Sequence, residues 1–598
     1  MKMPFMKQQL HPFLVIVFVR RPKKETKSSN LLTWPPAVVK TLHNPGTLNF
    51  FEEAAPTDNS PWEWPKSQRA KRGLPKATPL LATREPVVKK ARIQKPSEPP
   101  LMYVALDLPL VTSMLINTKY VANLLRSPVV NTLISMGVKE MAQRVTQIHT
   151  CIAGRLRLFT PNWQVITKDP WVINCVQGYT IDLVGQPHQT HPPVMLKFPQ
   201  SETESLSMEV QKMVAKQVIS QVPHEEASKG FKSQLFSVPK KDGGMRPIIN
   251  LKGLNTYVET VHFKMEGIHM LKDTLKPGDW MTKVDLKDAY FMVPIAPHHR
   301  PLLRFQWQGK TYQFNCLPFG LSSAPWVFTK TTRPIVATLR SIGLRMIIYI
   351  DDMLIMAPSP TVAREHTAGL IFLLENLGFI INHPKSVLTP TQEILFLGFT
   401  ISSTTMEIRL PGDKIKQIRQ DARKLLDTQY PQALALSRLL GKLNHAAQAI
   451  PPAPLFYRNL QLCLQSALGR TSGGRVYSVP VQLTPAAVQE LQWWQEHLTI
   501  WNGHHLLTTP PDMVIETDAS TTGWGALCHG MRTGGPWSWT ESQMHINCLE
   551  LLAESLAIKS FTRGKKNVHI HLKMDNTTAL TYINKYGGTA SPELNQLT

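Results

Sequence analysis

Two aspartates stand side by side in an otherwise apolar stretch, YIDDMLIMA at residues 349–357. Adjacent carboxylates repel each other, and partial burial makes that repulsion costly unless a positive charge offsets it. A second acidic strand end, Asp285 in MTKVDLKDAYFMVPI, lies 66 residues before Asp351. If the fold brings Asp285 beside Asp351 and Asp352, the cluster predicts a site for two hard divalent cations, an arrangement that promotes in-line attack on phosphate.

A second acidic set occurs in the last hundred residues, in IETDASTTGWGA, HINCLELLAESLAI and VHIHLKMDNTTALTYIN. Asp518 ends an apolar strand, Glu550 lies on an amphipathic helix, and Asp575 ends another strand. These three carboxylates predict another metal cluster. Glu554 lies one helical turn beyond Glu550 and is predicted to be a solvated helix residue.

The elements that carry the first set are predicted from the apolar runs around it. The stretch IIYIDDML fits a β-hairpin with the acidic pair at its tip. Because side chains alternate along a strand, such a tip presents Asp351 fully and Asp352 obliquely to a metal. Asp288, in the same motif as Asp285, is interpreted as a structural or surface residue.

The chain has 598 residues, a net charge of +24 and a pI near 9.7, which favours a polyanionic partner such as nucleic acid. Solubility and an anionic membrane surface are alternative explanations of that charge. Residues 1–100 hold 18 Lys and Arg, 7 Asp and Glu, and 15 of the 48 prolines, which predicts a disordered basic arm. FLVIVFV, within this arm, is too short to span a bilayer, so we expect no membrane association and an intracellular protein, cytoplasmic or nuclear.

Five motifs in order, KVDLKDAYF, LPFGLSSAPWVFTK, YIDD, LGFIINHPKS and FLGF, resemble those of retroelement reverse transcriptases over residues 205–402. The resemblance implies an α+β multidomain chain with a right-hand polymerase of fingers, palm and thumb. It also implies that Asp285, Asp351 and Asp352 are the metal-binding triad of the palm, with Mg²⁺ as cofactor and Mn²⁺ as the alternative.

The same resemblance assigns nucleotide and primer contacts. A nucleotide clamp is implied around a Gly-Gly turn, a sugar gate after the first aspartate, a palm lysine near the triphosphate, and a primer grip at FLGF. Many family members carry glutamine where this chain has a phenylalanine, which leaves the nucleotide contact there open. The residues are Lys240, Lys241 and Arg246 (clamp), Tyr290 (gate), Phe319 (at the glutamine position), Lys385 (palm lysine), and Phe396, Leu397 and Gly398 (primer grip).

The flanking segments complete the expected organisation. Residues 101–204 form a helical region of unreadable role, 403–510 resemble a thumb and connection, and 511–598 resemble a ribonuclease H-like α/β domain. By that resemblance Asp518, Glu550 and Asp575 are catalytic metal ligands. The family carries a fourth carboxylate, usually with a histidine nearby, several tens of residues after the third. Only 23 residues follow Asp575 and none of them is Asp or His, so we expect a C-terminally truncated nuclease with impaired activity.

Residues 155–598 resemble the corresponding proteins of DIRS-type retrotransposons. The resemblance is carried by the stretches DPWVINCVQGYTIDL, HFKMEGIHML and IETDASTTGWGALCHG. The implied partners are an RNA template, a DNA primer–template, an RNA–DNA hybrid, deoxynucleoside triphosphates, and a tyrosine recombinase encoded separately. Two other hypotheses stay open: a decayed or domesticated nucleic-acid-binding protein without turnover, and a template-independent nucleotidyltransferase.

Overall fold

The structure is a computed structural model, and it describes residues 15–20, 127–140, 152–191, 193, 196, 198–239, 245–469, 476–507, 510–566 and 568–597. Over these ranges the chain is mixed α/β, as the motifs predicted. None of the helices within them is both long enough and apolar enough to cross a bilayer.

The strands fall into four sheets. In chain order they are β1 (Val15–Arg20), β2 (Ile219–Gln221), β3 (Lys232–Pro239), β4 (Met245–Asn250), β5 (Trp280–Asp285), β6 (Arg304–Trp307), β7 (Lys310–Phe314), β8 (Arg345–Tyr349), β9 (Asp352–Ala357), β10 (Val387–Thr391), β11 (Glu393–Phe396), β12 (Phe399–Ser402), β13 (Glu407–Arg409), β14 (His504–His505), β15 (Met513–Ala519), β16 (Gly523–Cys528), β17 (Met531–Pro536) and β18 (His569–Met574). The orders are β10-β5-β9-β8 (the central sheet), β2-β7-β6-β3-β4 (the hairpin sheet), β11-β12-β13-β14 (the small sheet) and β1-β18-β15-β16-β17 (the C-terminal sheet).

Helices cover these sheets and fill the spaces between them. In chain order they are α1 (Pro128–Ser135), α2 (Thr160–Ile166), α3 (Pro170–Gly178), α4 (Gln200–Ala215), α5 (Lys252–Asn255), α6 (Leu271–Thr274), α7 (Ala324–Ser341), α8 (Pro360–Asn376), α9 (Gly412–Leu426), α10 (Ala433–Ala446), α11 (Arg458–Gly469), α12 (Pro485–Glu496), α13 (Trp539–Ser542), α14 (Ile546–Phe561), α15 (Thr577–Asn584) and α16 (Pro592–Leu597).

The central sheet is buried on both faces, which explains the apolar run after the paired aspartates. Along β9, Met353 and Ile355 pack into one hydrophobic core, while Leu354 and Met356 pack into another on the opposite face. A strand covered on both faces needs apolar side chains at successive positions rather than at alternate ones. The two cores therefore fix the central strands, and Asp285 and Asp352 lie at the ends of β5 and β9.

The segment before the motifs belongs to the first of these cores. Trp163 is fully buried, and its indole Nε1–H donates to the carbonyl of Leu377 at 2.9 Å. Asn162 Nδ2 donates to the carbonyl of Asn376 at 2.7 Å, at the end of α8. The described part of 101–204, whose role was unreadable in the sequence, thus supports the helix that packs on the central sheet.

The second core joins the central sheet to the small sheet and to helices α9–α12. Trp494 is fully buried in it, and its Nε1–H donates to the carbonyl of Phe456 at 2.8 Å. Residues 403–507 therefore pack continuously onto the segment that precedes them.

Residues 511–597 have separate small cores of their own around α14. β15 pairs antiparallel with β16 and parallel with β18. On its other side β18 pairs in parallel with β1, from Val15 opposite His569 to Arg20 opposite Met574. The prediction of a disordered arm over 1–100 is wrong for these six residues, because a β-branched run can complete a sheet edge despite its polar and proline-rich surroundings. The rest of that arm lies outside the described residues.

Breaking β1 tests this pairing. Replacing Ile16 and Val17 together by proline removes two N–H groups and prevents continuous pairing with β18. We expect amide hydrogen exchange in residues 570–574 to accelerate at least about tenfold, since β18 becomes an unprotected edge. The control Ile16→Val/Val17→Ile keeps β propensity and should leave exchange unchanged. Equal protection in the proline variant would show that β1 does not pair with β18 in solution.

Candidate active sites

The paired aspartates lie at a hairpin tip, as the sequence predicted. Tyr349 and Asp352 are the last cross-strand pair of β8 and β9, and Ile350 and Asp351 form the turn between them. Ile350 has a φ of +56°, a left-handed conformation that tightens this turn. The carbonyl of Asp351 accepts from the N–H of Leu286 at 2.9 Å, which ties the tip to the end of β5.

Asp285 is brought to the same place by strand pairing. It is the cross-strand partner of Asp352 in the antiparallel pair β5–β9. Burial raises the pKa of Asp285, and the negative charge of Asp352 raises it further. Burial likewise raises the pKa of Asp351, with additional contributions from Asp352 and Asp285. The three carboxylates thus repel one another in a partly dry environment, and such a donor set fits hard divalent cations.

Two neighbouring side chains contact these carboxylates. Both lie in motifs of the sequence, Lys283 in KVDLKDAYF and Asn382 in LGFIINHPKS, but the sequence analysis assigned a role to neither. Lys283 Nζ lies 3.4 Å from Oδ1 of Asp352, and that oxygen accepts no hydrogen bond from the described residues. Asn382 Nδ2 donates to Oδ1 of Asp285 at 2.7 Å. Asp285, Asp351 and Asp352 are all among the described residues, but their carboxylate oxygens do not all lie within 4.8 Å of one another.

Tyr290 lies beside the triad in a short 3₁₀ turn, Ala289–Met292. Its ring is buried against Phe319 and Phe328, with ring centroids 5.0 and 5.5 Å away. Burial raises the pKa of Tyr290, and the nearby charge of Asp351 raises it further. Phe319 is 43% exposed, so one ring of this cluster faces solvent. Asp288 binds Lys216 at 2.8 Å, which agrees with its interpretation as a structural residue.

The expected nucleotide clamp is described only in part. Lys240 and Lys241 lie outside the described residues, whereas Arg246 is exposed on β4, opposite Val238 of β3. Lys385 is also exposed and is the last residue of a 3₁₀ turn, His383–Lys385, and its charge lowers the pKa values of Asp285 and Asp351. Lys385 therefore lies close enough to the triad for its positive charge to act on Asp285 and Asp351.

The FLGF motif forms a tight hairpin between β11 and β12. Phe396 and Phe399 are paired, and Leu397 and Gly398 between them have φ values of +46° and +82°. The carbonyl of Leu397 lies 3.3 Å from Nε2 of His445, whose ring stacks on Phe399 at 4.4 Å. A Cβ at Gly398 would meet the flexible end of the Lys414 side chain, which can move away, so it is the left-handed backbone conformation that favours glycine there.

The second acidic set is assembled by the C-terminal sheet. Asp518 near the end of β15, Glu550 on α14 and Asp575 directly after β18 place one ligand atom each within 4.8 Å of the others. Glu550 is buried, and burial together with the charges of Asp575 and Asp518 raises its pKa to about 7. Its Oε2 has no hydrogen-bond partner among the described residues. A buried carboxylate oxygen without a donor, between two like charges, is the environment that a divalent cation stabilises.

The surroundings of this cluster correct one prediction. Glu554 is 5% exposed, not solvated, and burial raises its pKa well above the usual range. The helix turns it toward the sheet because α14 packs one whole face against β15 and β16. A groove of about 450 Å³ opens beside Asp518, lined by Ser520, Thr522 and Trp524 among others.

The triad lies in a segment that matches a known family. Residues 238–401 match the family model described as reverse transcriptase (RNA-dependent DNA polymerase). This segment is a reverse transcriptase domain. The relatives that share it are polyproteins of retroelements, both viruses and a transposon.

Three of these relatives show how far the likeness extends. The enzymatic polyprotein of cauliflower mosaic virus (strain Strasbourg) is 23% identical over 404 residues, covering 65% of this chain and 56% of that protein. The Pro-Pol polyprotein of simian foamy virus type 1 is 28% identical over 237 residues, covering 40% and 19%. The transposon Tf2-3 polyprotein of Schizosaccharomyces pombe is 24% identical over 331 residues, covering 51% and 22%. The chain thus spans little more than half of the first relative and much less of the others.

Solved structures of a foamy viral protease-reverse transcriptase are also similar. The complex with dsDNA has a TM-score of 0.47 at 17% identity, covering 69% of this chain and 86% of that one. The complex with an RNA/DNA hybrid has a TM-score of 0.46 at 15% identity, covering 79% and 61%.

Glu550 makes cation binding at the second cluster depend on pH. With a pKa of about 7, Glu550 is protonated below neutrality, and a cation must displace that proton. We expect Mn²⁺ affinity, measured by electron paramagnetic resonance on a chain carrying Asp351→Asn, to rise as the pH increases from 6 to 8. Below the pKa of Glu550, the Mn²⁺ affinity should rise about tenfold for each unit of pH.

The matched control for this titration is Glu550→Gln, which keeps the shape of the side chain and removes the titrating group. Its Mn²⁺ affinity should be lower and should lose most of this pH dependence. The same pH slope in both proteins would mean that another group controls binding.

Proposed function

We propose that this chain is the reverse transcriptase of a retrotransposon, an RNA- and DNA-directed DNA polymerase with an attached ribonuclease H unit. The observation that carries the proposal is the cross-strand pairing of Asp285 with Asp352, with Asp351 at the hairpin tip, inside a reverse transcriptase domain. In this proposal the central sheet is the palm, the β3–β4 hairpin belongs to the fingers, and helices α9–α12 form the thumb and connection.

Asp285 and Asp351 would hold the divalent cations, Mg²⁺ or Mn²⁺, because both face repulsion that a cation relieves. A bound cation pair would supply the positive charge that activates the primer hydroxyl and stabilises the leaving pyrophosphate. Asp352, whose Oδ1 lies 3.4 Å from Nζ of Lys283, would be the third cation ligand of the triad. Lys385, together with Arg246, Lys240 and Lys241, would neutralise the triphosphate of an incoming deoxynucleotide.

Tyr290 is the proposed sugar gate. Its ring is packed against Phe328 on one side and Phe319 on another, so it is not free to move away from a ribose 2′-hydroxyl. Phe319 would form a second, solvent-facing wall of the same pocket in place of the glutamine of many relatives.

The path of the template and primer is proposed to run over the basic face of α9. Lys416, Arg419, Arg423 and Lys424 are exposed along this helix, a spacing suited to the phosphates of a duplex. Lys414, at the start of α9, lies by the Leu397–Gly398 turn, where the primer backbone would approach.

The C-terminal unit is proposed to hydrolyse the RNA strand of RNA–DNA hybrids at Asp518, Glu550 and Asp575. Three carboxylates within 4.8 Å are enough to bind one cation. Hydrolysis by two cations uses a further ligand in addition to the three carboxylates that the described residues bring together here.

The finer assignment of the element is also a proposal. The motif sequences support a DIRS-type element, whose tyrosine recombinase would be encoded separately. The protein is proposed to act within the cell, in the cytoplasm or the nucleus. A nucleic-acid-binding protein without turnover is the second candidate, and the retention of every triad carboxylate argues against it.

Primer extension on RNA and DNA templates tests the polymerase assignment, and hybrid cleavage tests the nuclease. Asp351→Asn keeps the shape of the hairpin tip but removes a charge that holds a cation, so extension should fall at least about 10³-fold. Asp518→Asn should abolish hybrid cleavage.

Each variant serves as the control for the other assay, since Asp351→Asn should cleave hybrids as the parent does and Asp518→Asn should extend primers as the parent does. Extension by Asp351→Asn at the parental rate would refute the site assignment. Extension without any template would favour the nucleotidyltransferase hypothesis instead.

The gate predicts a change in sugar selection. Tyr290→Ala opens space beside the sugar, so ribonucleotide incorporation relative to deoxyribonucleotide should rise about 10- to 100-fold, measured as a ratio of kcat/KM values. Tyr290→Phe keeps the ring and should keep the selectivity. Unchanged discrimination in Tyr290→Ala would remove Tyr290 from the gate.

A further inference from the structure

Asp285 is held by a closed set of hydrogen bonds to Asn382 and Ser386, two residues of the LGFIINHPKS motif. Asn382 donates twice to this one residue, from its backbone N–H to the carbonyl of Asp285 at 2.7 Å and from Nδ2 to Oδ1 at 2.7 Å. In return, the N–H of Asp285 donates to Oγ of Ser386 at 3.0 Å, and that hydroxyl donates to the carbonyl of Asn382 at 2.9 Å. Both the main chain and the side chain of Asp285 are therefore fixed by the same turn.

The Nδ2 bond differs in kind from the others. Backbone bonds between Asp285 and the turn are sufficient to attach the turn to the strand end. The side-chain amide adds a donor directed at a carboxylate that burial and neighbouring aspartates destabilise in its charged form. Such a donor stabilises the ionised carboxylate and fixes the plane in which its oxygens lie.

The turn also places a charged group. The N–H of Lys385 donates to the carbonyl of Asn382 at 3.1 Å, and the N–H of Ser386 donates to the same carbonyl at 3.0 Å. One residue thus connects the carboxylate of Asp285 with the backbone of the lysine whose charge acts on the triad.

We propose that Asn382 is a positioning residue of the polymerase site, which orients the Asp285 carboxylate for a divalent cation through its side-chain amide. The inference rests on the proposed polymerase function and adds to it a residue outside the acidic triad. A purely structural role for Asn382 would stabilise the turn without affecting cation affinity, and this difference makes the proposal testable.

The test uses the full chain carrying Asp518→Asn, in which the second cluster is weakened. Asn382→Leu has nearly the same shape and lacks the donor, while its backbone N–H bond to Asp285 is retained. Asn315→Leu is the matched control, because the amide of Asn315 donates to a backbone carbonyl, that of Gln217 at 2.9 Å, and not to a carboxylate.

Mn²⁺ binding is measured by electron paramagnetic resonance, independently of turnover, and kcat and the KM for deoxynucleotide are measured in primer extension. For Asn382→Leu we expect Mn²⁺ affinity to fall about 10- to 100-fold and kcat to fall similarly, with KM changed less than about threefold. Asn315→Leu should match its parent in both measurements.

Ser386→Ala covers the case in which Asn382→Leu does not fold. It removes the hydroxyl between Asp285 and Asn382, and a smaller loss of Mn²⁺ affinity, about two- to tenfold, is expected. Unchanged Mn²⁺ affinity in the folded Asn382→Leu protein, or in Ser386→Ala when only that variant folds, would overturn the proposal. If the parent binds Mn²⁺ but extends no primer, the polymerase function fails while the effect of Asn382 on cation binding is still decided.

Discussion

Repulsion between carboxylates at partly buried strand ends is the constraint on which both candidate sites depend. Each site gathers three acidic groups around at least one buried carboxylate, Asp285 in the first and Glu550 in the second, and burial together with neighbouring acids raises the pKa of these two side chains. Such an arrangement persists only where the packing of the surrounding elements fixes the positions of the acidic side chains. The central sheet achieves this by burying both faces of β9, so that the charged residues are forced to the ends of its strands.

The two sites meet this constraint in different ways. At the triad, neighbouring polar side chains partly offset the negative charge of the carboxylates. Lys283 lies by Asp352, and Asn382 donates a hydrogen bond to Asp285. At the second cluster the carboxylates lie within 4.8 Å of one another, and one oxygen of Glu550 has no partner in the described part of the chain. The second cluster is therefore the more dependent on a cation, whereas the triad has partial neutralisation built into the protein.

Much of the first site was readable from the sequence because its residues lie at fixed offsets within local elements. The hairpin around Asp351 follows from a short-range pattern of apolar residues on either side of the acidic pair, and the structure contains it. The roles of Lys283 and Asn382 were not readable, because they depend on which strand ends are neighbours in space. Glu554 was misjudged for a related reason: helical periodicity gives the face of a residue, but not how much of that face a sheet covers.

The strand β1 has a consequence for how the chain reaches its final form. The parallel pair β1–β18 joins segments from nearly opposite ends of the sequence. Its partners are separated by more residues along the chain than those of any other strand pair described. The entropic cost of closing so long a loop grows only logarithmically with length, and the pairing is therefore tolerable at equilibrium. Kinetically it must come late, since β18 is synthesised long after β1 has left the ribosome. Until then the segment that forms β1 has no partner strand, and the edge of β18 in another copy of the chain is chemically the same as its own. Newly made chains at high local concentration are thus exposed to domain swapping through this strand.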